Sequence, residues 1–158
     1  MNGCSPQRIG RTATTAKHIL LADDDSMVRA ALTAVLESEG YVVDQAQDGR
    51  EAVTRAVRQP PDLVLLDLNM PHVDGWAAFS QIEHFRPLVP VIVITARPRQ
   101  YSEASRLGVD ALMEKPLDIP VLLRAIRKLI YEPESRRITR VTDRDFTTRY
   151  LAKGNGRS

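Results

Sequence analysis

The sequence predicts an α/β protein, a doubly wound parallel sheet covered by helices on both faces. Three observations carry this. Short continuous apolar runs alternate with stretches of helical spacing, Pro and Gly separate the two, and the runs end in acidic or polar residues. An apolar run of this length reads as a strand buried on both faces, the environment of a parallel sheet. Strands that alternate with helices provide the cover such a sheet needs. A chain of 158 residues is long enough for one such domain with ends to spare.

The first strand is His18-Ile19-Leu20-Leu21-Ala22, which runs into Asp23, Asp24 and Asp25. Ser26 is placed to cap the following helix, leaving Asp25 as solvated charge, and Val28, Ala31, Leu32, Val35 and Leu36 recur at helical spacing until Gly40. The more polar run 41–46 reads as an edge strand. Asp48-Gly49 then turns into a helix bearing Ala52, Val53, Ala56 and Val57, stopped by Pro60-Pro61. The central strand is Leu63-Val64-Leu65-Leu66-Asp67, followed by Leu68-Asn69-Met70-Pro71 and Asp74-Gly75. A helix over 75–84 buries Trp76, Phe79 and Ile82, and Val91-Ile92-Val93-Ile94-Thr95 is the fourth strand. A short helix over 102–107 ends at Gly108, and Ala111-Leu112-Met113 leads into Glu114-Lys115-Pro116. A last clear helix covers 119–131, with Val121, Leu122, Ala125, Ile126 and Leu129 on one face.

The division expected is a flexible basic segment over 1–17, the folded domain over 18–132, and a basic tail over 133–158 with room for one short extra helix. Residues 1–17 hold three basic side chains and no acid; residues 133–158 hold seven basic and three acidic; a chain at net +2 therefore has a body at −5. Basic ends with so few charges read as solvated, and nucleic-acid binding is not expected of them. No apolar run approaches the roughly 18 residues of a membrane span, and the N-terminal residues lack a secretory pattern. With Cys4 alone there is no intrachain disulfide, and a cytoplasmic location without membrane partners is expected.

Four strands end in groups with chemistry: Asp23-Asp24, Asp67, Thr95 and Lys115. Parallel-sheet geometry gathers such ends on one rim, where open α/β sheets bind ligands. Converging carboxylates repel by about 4 kcal/mol per pair at ~4 Å and an effective dielectric of ~20. A divalent cation, aided by Lys115, relieves that, and oxygen donors without His or Cys select Mg²⁺ over Zn²⁺. Such a site suits an acid that accepts a phosphoryl group.

The fragments ILLADDD, LLDLNMPHVDG, VIVITA and MEKP, in this order and spacing, resemble the receiver domain of two-component response regulators over residues 18–131. The resemblance implies a flavodoxin-like, five-stranded sheet in the order 2-1-3-4-5 and a cis Lys115–Pro116 bond. It implies Asp67 as phosphoacceptor and Thr95 and Lys115 as the groups gripping the phosphoryl oxygens. Asp24 would bind Mg²⁺ directly, Asp23 chiefly through water, and Asn69 by its backbone carbonyl, with Asp67 completing the set. The partners implied are a sensor histidine kinase or phosphotransfer protein and an unidentified downstream protein; a homodimer is compatible. The function implied is a phosphorylation switch, not an enzyme acting on a separate substrate. The reading is of a stand-alone receiver without an output domain. Its alternative is a nucleic-acid-binding regulator acting through the basic tail, although no helix-turn-helix pattern is present. A metal-dependent phosphatase would need Asp-x-Asp after a strand, which Asp67-Leu68-Asn69 only approximates.

Two departures concern the output. Leu112 stands where the family carries Tyr or Phe, and the segment 96–107 is slightly short. Signalling is therefore expected to act through backbone shifts of 96–107 and repacking against the helix over 119–131. His72 lies near the site as an incidental loop residue, and His18 and His84 show no partner spacing.

Overall fold

The structure, a computed structural model, describes residues 15–143 and 145–154. Its centre is β3 (Leu63–Asp67), buried at every position, flanked by β1 (His18–Ala22), buried from Ile19 onward, and β4 (Val91–Thr95), buried throughout. Such strands require helices on both faces. These are α1 (Ser26–Ser38), α2 (Gly49–Arg58), α3 (Gly75–Phe85), α4 (Tyr101–Leu107) and α5 (Ile119–Ile130). β2 (Val42–Ala46), with only Ala46 buried, closes one edge, and β5 (Ala111–Glu114) follows β4. The five run parallel in the predicted order 2-1-3-4-5.

Side chains alternate along each strand and so fill two cores. Ile19, Leu21, Leu63, Leu65, Ile92, Ile94 and Met113 join Leu32 and Leu36 of α1 and Leu122, Ile126 and Leu129 of α5. Leu20, Val64, Leu66, Val93 and Leu112 join Ala52 and Ala56 of α2, Ala78, Phe79 and Ile82 of α3, and Ala104 of α4. Trp76, expected in that buried set, is half-buried and donates Nε1–H to Gln100 Oε1 at 3.1 Å.

Two more elements follow: α6 (Glu134–Thr142) and β6 (Arg149–Tyr150). β6 lies parallel to β5, giving six strands among the described residues. Nothing in the sequence pattern predicts β6. The flexible segment expected over 1–17 falls mostly on residues 1–14, outside the described residues, as do 155–158 of the tail.

One local expectation is corrected. Asp25, not Ser26, caps α1: its carboxylate accepts from the amides of Met27 at 2.9 Å and Val28 at 3.3 Å, with extended backbone angles. A carboxylate at a helix N-terminus satisfies two orphan amides and opposes the positive end of the dipole. Asp25→Ala is therefore expected to cost about 1 kcal/mol in urea unfolding, whereas Ser26→Ala leaves the midpoint nearly unchanged.

Candidate functional site

The register builds the site. Ala22 pairs with Leu66, Asp67 with Ile94, and Thr95 with Glu114, so Asp23, Asp67, Thr95 and Lys115 come to one rim of the sheet. Asp23 and Thr95 are fully buried and Asp67 is 2% exposed, while Asp24 and Asn69 face solvent. Ligand oxygens of Asp23, Asp24 and Asp67 all lie within 4.8 Å of one another, making this a group able to hold a cation among the described residues.

Lys115 reaches between two of the acids: its Nζ is 3.1 Å from Asp23 Oδ2 and 3.4 Å from Asp67 Oδ2. Its amide donates to Thr95 O at 2.7 Å, and the Lys115–Pro116 bond is cis. Asp23 Oδ1 accepts the Asp25 amide at 2.9 Å, and Asp67 Oδ1 accepts the Asn69 amide at 3.1 Å. Thr95 Oγ1 accepts the Arg97 amide at 2.9 Å, leaving its own proton to donate elsewhere.

Burial pushes the Asp67 carboxyl up from 3.8 to about 6; the Asn69 amide pulls it down, the Asp23 charge raises it, and Lys115 lowers it. Burial works against the Lys115 ammonium, but its hydrogen bond to Asp23 and the two nearby carboxylates prevail and raise its pKa. One ammonium among three carboxylates leaves an excess of negative charge. An all-oxygen donor set with that excess fits Mg²⁺.

All six residues singled out from the sequence thus meet on or beside one rim. Arg97 joins them unannounced: Nη2 donates to Asn69 Oδ1 at 3.2 Å and Nη1 lies 3.9 Å from Asp74. A lone loop Arg carries no spacing signal, so its place emerges only from the fold. His72 stays exposed, in the left-handed region at φ 70°, a conformation uncommon outside glycine.

A doubly wound sheet with an acidic cluster, a hydroxyl and an ammonium at its carboxyl rim is suited to phosphoryl chemistry with a divalent cation. Residues 19–127 match the family model described as the response regulator receiver domain, and the chain belongs to that family. Over 117 residues it is 39% identical to the transcriptional regulatory protein PdtaR of Mycobacterium tuberculosis, covering 72% of this chain and 57% of that one. It is 34% identical to the chemotaxis protein CheY of Halobacterium salinarum, covering 73% of this chain and 98% of that protein. The chain thus spans little more than half the length of PdtaR. Among solved structures, the receiver domain of a Pseudomonas aeruginosa sensor histidine kinase, with magnesium coordinated in its active-site cleft, superposes with a TM-score of 0.69. It is 30% identical, with 75% of this chain and 100% of that one covered. Proteins of this family are signalling switches, and their receiver domains generally bind Mg²⁺ at an acidic cluster like this one. No helix among the described residues is long and apolar enough to cross a membrane.

Proposed function

We propose that Asp67 accepts a phosphoryl group from a phosphohistidine of a sensor histidine kinase or phosphotransfer protein, and that the added charge switches a protein-interaction surface. The observation that carries this reading is the Asp67 carboxylate, buried at a strand end, sharing a ligand cluster with Asp23 and Asp24 and an ammonium at 3.4 Å. A carboxylate oxygen of Asp67 attacks phosphorus; the new O–P bond forms as the P–N bond breaks, and the electron pair leaves with the imidazole. Asp24, Asp23 (chiefly through water), Asp67 and the Asn69 carbonyl would hold Mg²⁺. When bound, the ion neutralises charge on the phosphoryl oxygens.

Thr95 donates its free hydroxyl proton to one of those oxygens and Lys115 its ammonium to another. Phosphorylation puts a group of about −1.5 to −2 in place of the carboxylate's single charge, a gain of roughly one negative charge, which draws the ends of β4 and β5 toward Asp67. We place this unit in residues 18–132, with 133–158 as an appendage. Of the basic residues there, Arg137 and Arg140 bond within the protein, which takes two charges away from the nucleic-acid alternative.

Incubation with acetyl phosphate and Mg²⁺ is expected to add one phosphoryl group, labile to hydroxylamine and absent in Asp67→Ala. Labelling of Asp67→Ala at the wild-type level would overturn the assignment.

A further inference from the structure

Beyond residue 132 the chain turns back along the outer edge of β5. Arg137 Nη2 donates to the carbonyls of Leu129 at 3.3 Å and Ile130 at 2.6 Å, satisfying the last turn of α5. Arg140, only 11% exposed along its side chain, lies 2.6 Å from Asp110 Oδ1, hydrogen-bonds Glu132 and stacks over Phe146. Thr148 is buried and donates Oγ1–H to Val109 O at 2.6 Å. The amides of Arg149 and Leu151 donate to Asp110 O and Leu112 O at 3.1 and 2.8 Å, and Leu151 enters the core shared with α5. Tyr150 meets Tyr101 of α4 edge to face, with centroids 6.3 Å apart.

The segment ends on the loop that bears Lys115. The Gly154 amide donates to Asp118 Oδ2 at 2.8 Å, and Asp118 Oδ1 caps α5 through the Val121 amide at 3.2 Å. Any shift of Lys115 toward Asp67 therefore pulls on both attachments of the segment, the β5 ladder and Asp118. The β5–β6 ladder pairs only two residues on each strand, against four between β4 and β5. Of the two ladders that flank β5, the shorter one, on the β6 side, is the one expected to yield when β5 moves.

We propose that α6 and β6 form an in-cis clasp over β5 that is seated when Asp67 is unmodified and loosens when the site is phosphorylated, uncovering the β5 edge and the side of α4 at Tyr101. The clasp rests on the reading of Asp67 as phosphoacceptor. The coupling is reciprocal: seating the clasp restrains Lys115, and loosening it favours the phosphorylated arrangement.

The test is hydrogen exchange on the full chain, with and without Mg²⁺ and beryllium fluoride as the phosphoryl mimic. The Arg149 and Leu151 amides are expected to exchange about tenfold faster with the mimic, while the Lys115 amide changes as the site fills. In parallel, Tyr150→Ser, at an exposed position, and Leu151→Asp, at a buried one, are expected to quicken phosphorylation by acetyl phosphate about threefold. Altered exchange at Lys115 with none at Arg149 and Leu151, and unchanged phosphorylation in Tyr150→Ser, overturns the clasp alone. No exchange change anywhere overturns the phosphoacceptor reading, and the clasp with it. Because Tyr150→Ser removes only a surface ring, a folding failure of Leu151→Asp leaves the comparison intact.

Discussion

Gly75→Ala is expected to destabilise the protein by about 2–3 kcal/mol, although Ala is the better helix former. A Cβ at this position would lie 2.4 Å from Leu68 Cα, 2.8 Å from Leu68 O and 2.9 Å from Leu68 C. These are backbone atoms and cannot rotate away, so either α3 or the turn after β3 must move. The Gly75 amide also donates to Leu68 O at 3.2 Å, which holds the two segments at that distance. Helix propensity and a less flexible unfolded chain favour Ala by about 1 kcal/mol each at most. Overpacking typically costs about 1–3 kcal/mol where side chains can give, and more where backbone must shift. Because Leu68 follows Asp67, the displacement also misplaces the carboxylate, and phosphorylation by acetyl phosphate is expected to fall with stability. Urea unfolding with an unchanged slope and a lower midpoint is the signature. A midpoint at or above that of the wild type would show that α3 does not rest on the β3 turn.

Gly75 illustrates what the sequence makes legible and what it does not. Asp74-Gly75 marks a turn and a helix start by residue type alone, yet the contact with Leu68 is tertiary and leaves no mark on spacing. The runs of β1, β3 and β4 are legible because burial on both faces demands apolar residues at every position. Asp23, Asp24, Asp67, Thr95 and Lys115 are legible because parallel strands deliver their ends to one rim. β6 is not, since Arg149 and Tyr150 are both exposed and its hydrogen bonds come from main chain, which any residue supplies. Arg140 and Asp110 likewise meet only because α6 folds back past β5. The cap of α1 is not legible either: residue type points to Ser26, whereas Asp25 takes the role, because backbone angles decide between neighbours. Leu112, fully buried beneath α4, fits a strand whose outer edge is covered by β6.

Between pH 4 and 7, without divalent cation, wild-type stability is expected to fall by about 2 kcal/mol relative to Asp67→Asn. Burial raises the Asp67 carboxyl from 3.8 to about 6, so the folded protein binds this proton more tightly than the unfolded chain does. The stabilisation that proton provides is fully present below the unfolded value, fades as pH rises, and is lost once pH passes about 6. At 1.36 kcal/mol per pKa unit the whole shift corresponds to about 3 kcal/mol, and water at the open rim reduces it to about 2. Lys115 adds no slope in this window, because its raised pKa keeps the ammonium charged throughout. Asn at position 67 retains an oxygen for the Asn69 amide and has no charge to bury. If Mg²⁺ binds at this cluster in the folded protein alone, as proposed, it is expected to restore wild-type stability at pH 7 as its concentration exceeds its dissociation constant, and to do less for Asp67→Asn. Urea midpoints of both proteins at pH 4 and 7, with and without Mg²⁺, measure all of this. Parallel pH profiles for the two proteins would mean that the Asp67 carboxylate is not under electrostatic strain, and that relief of such strain is not what draws a cation to this rim.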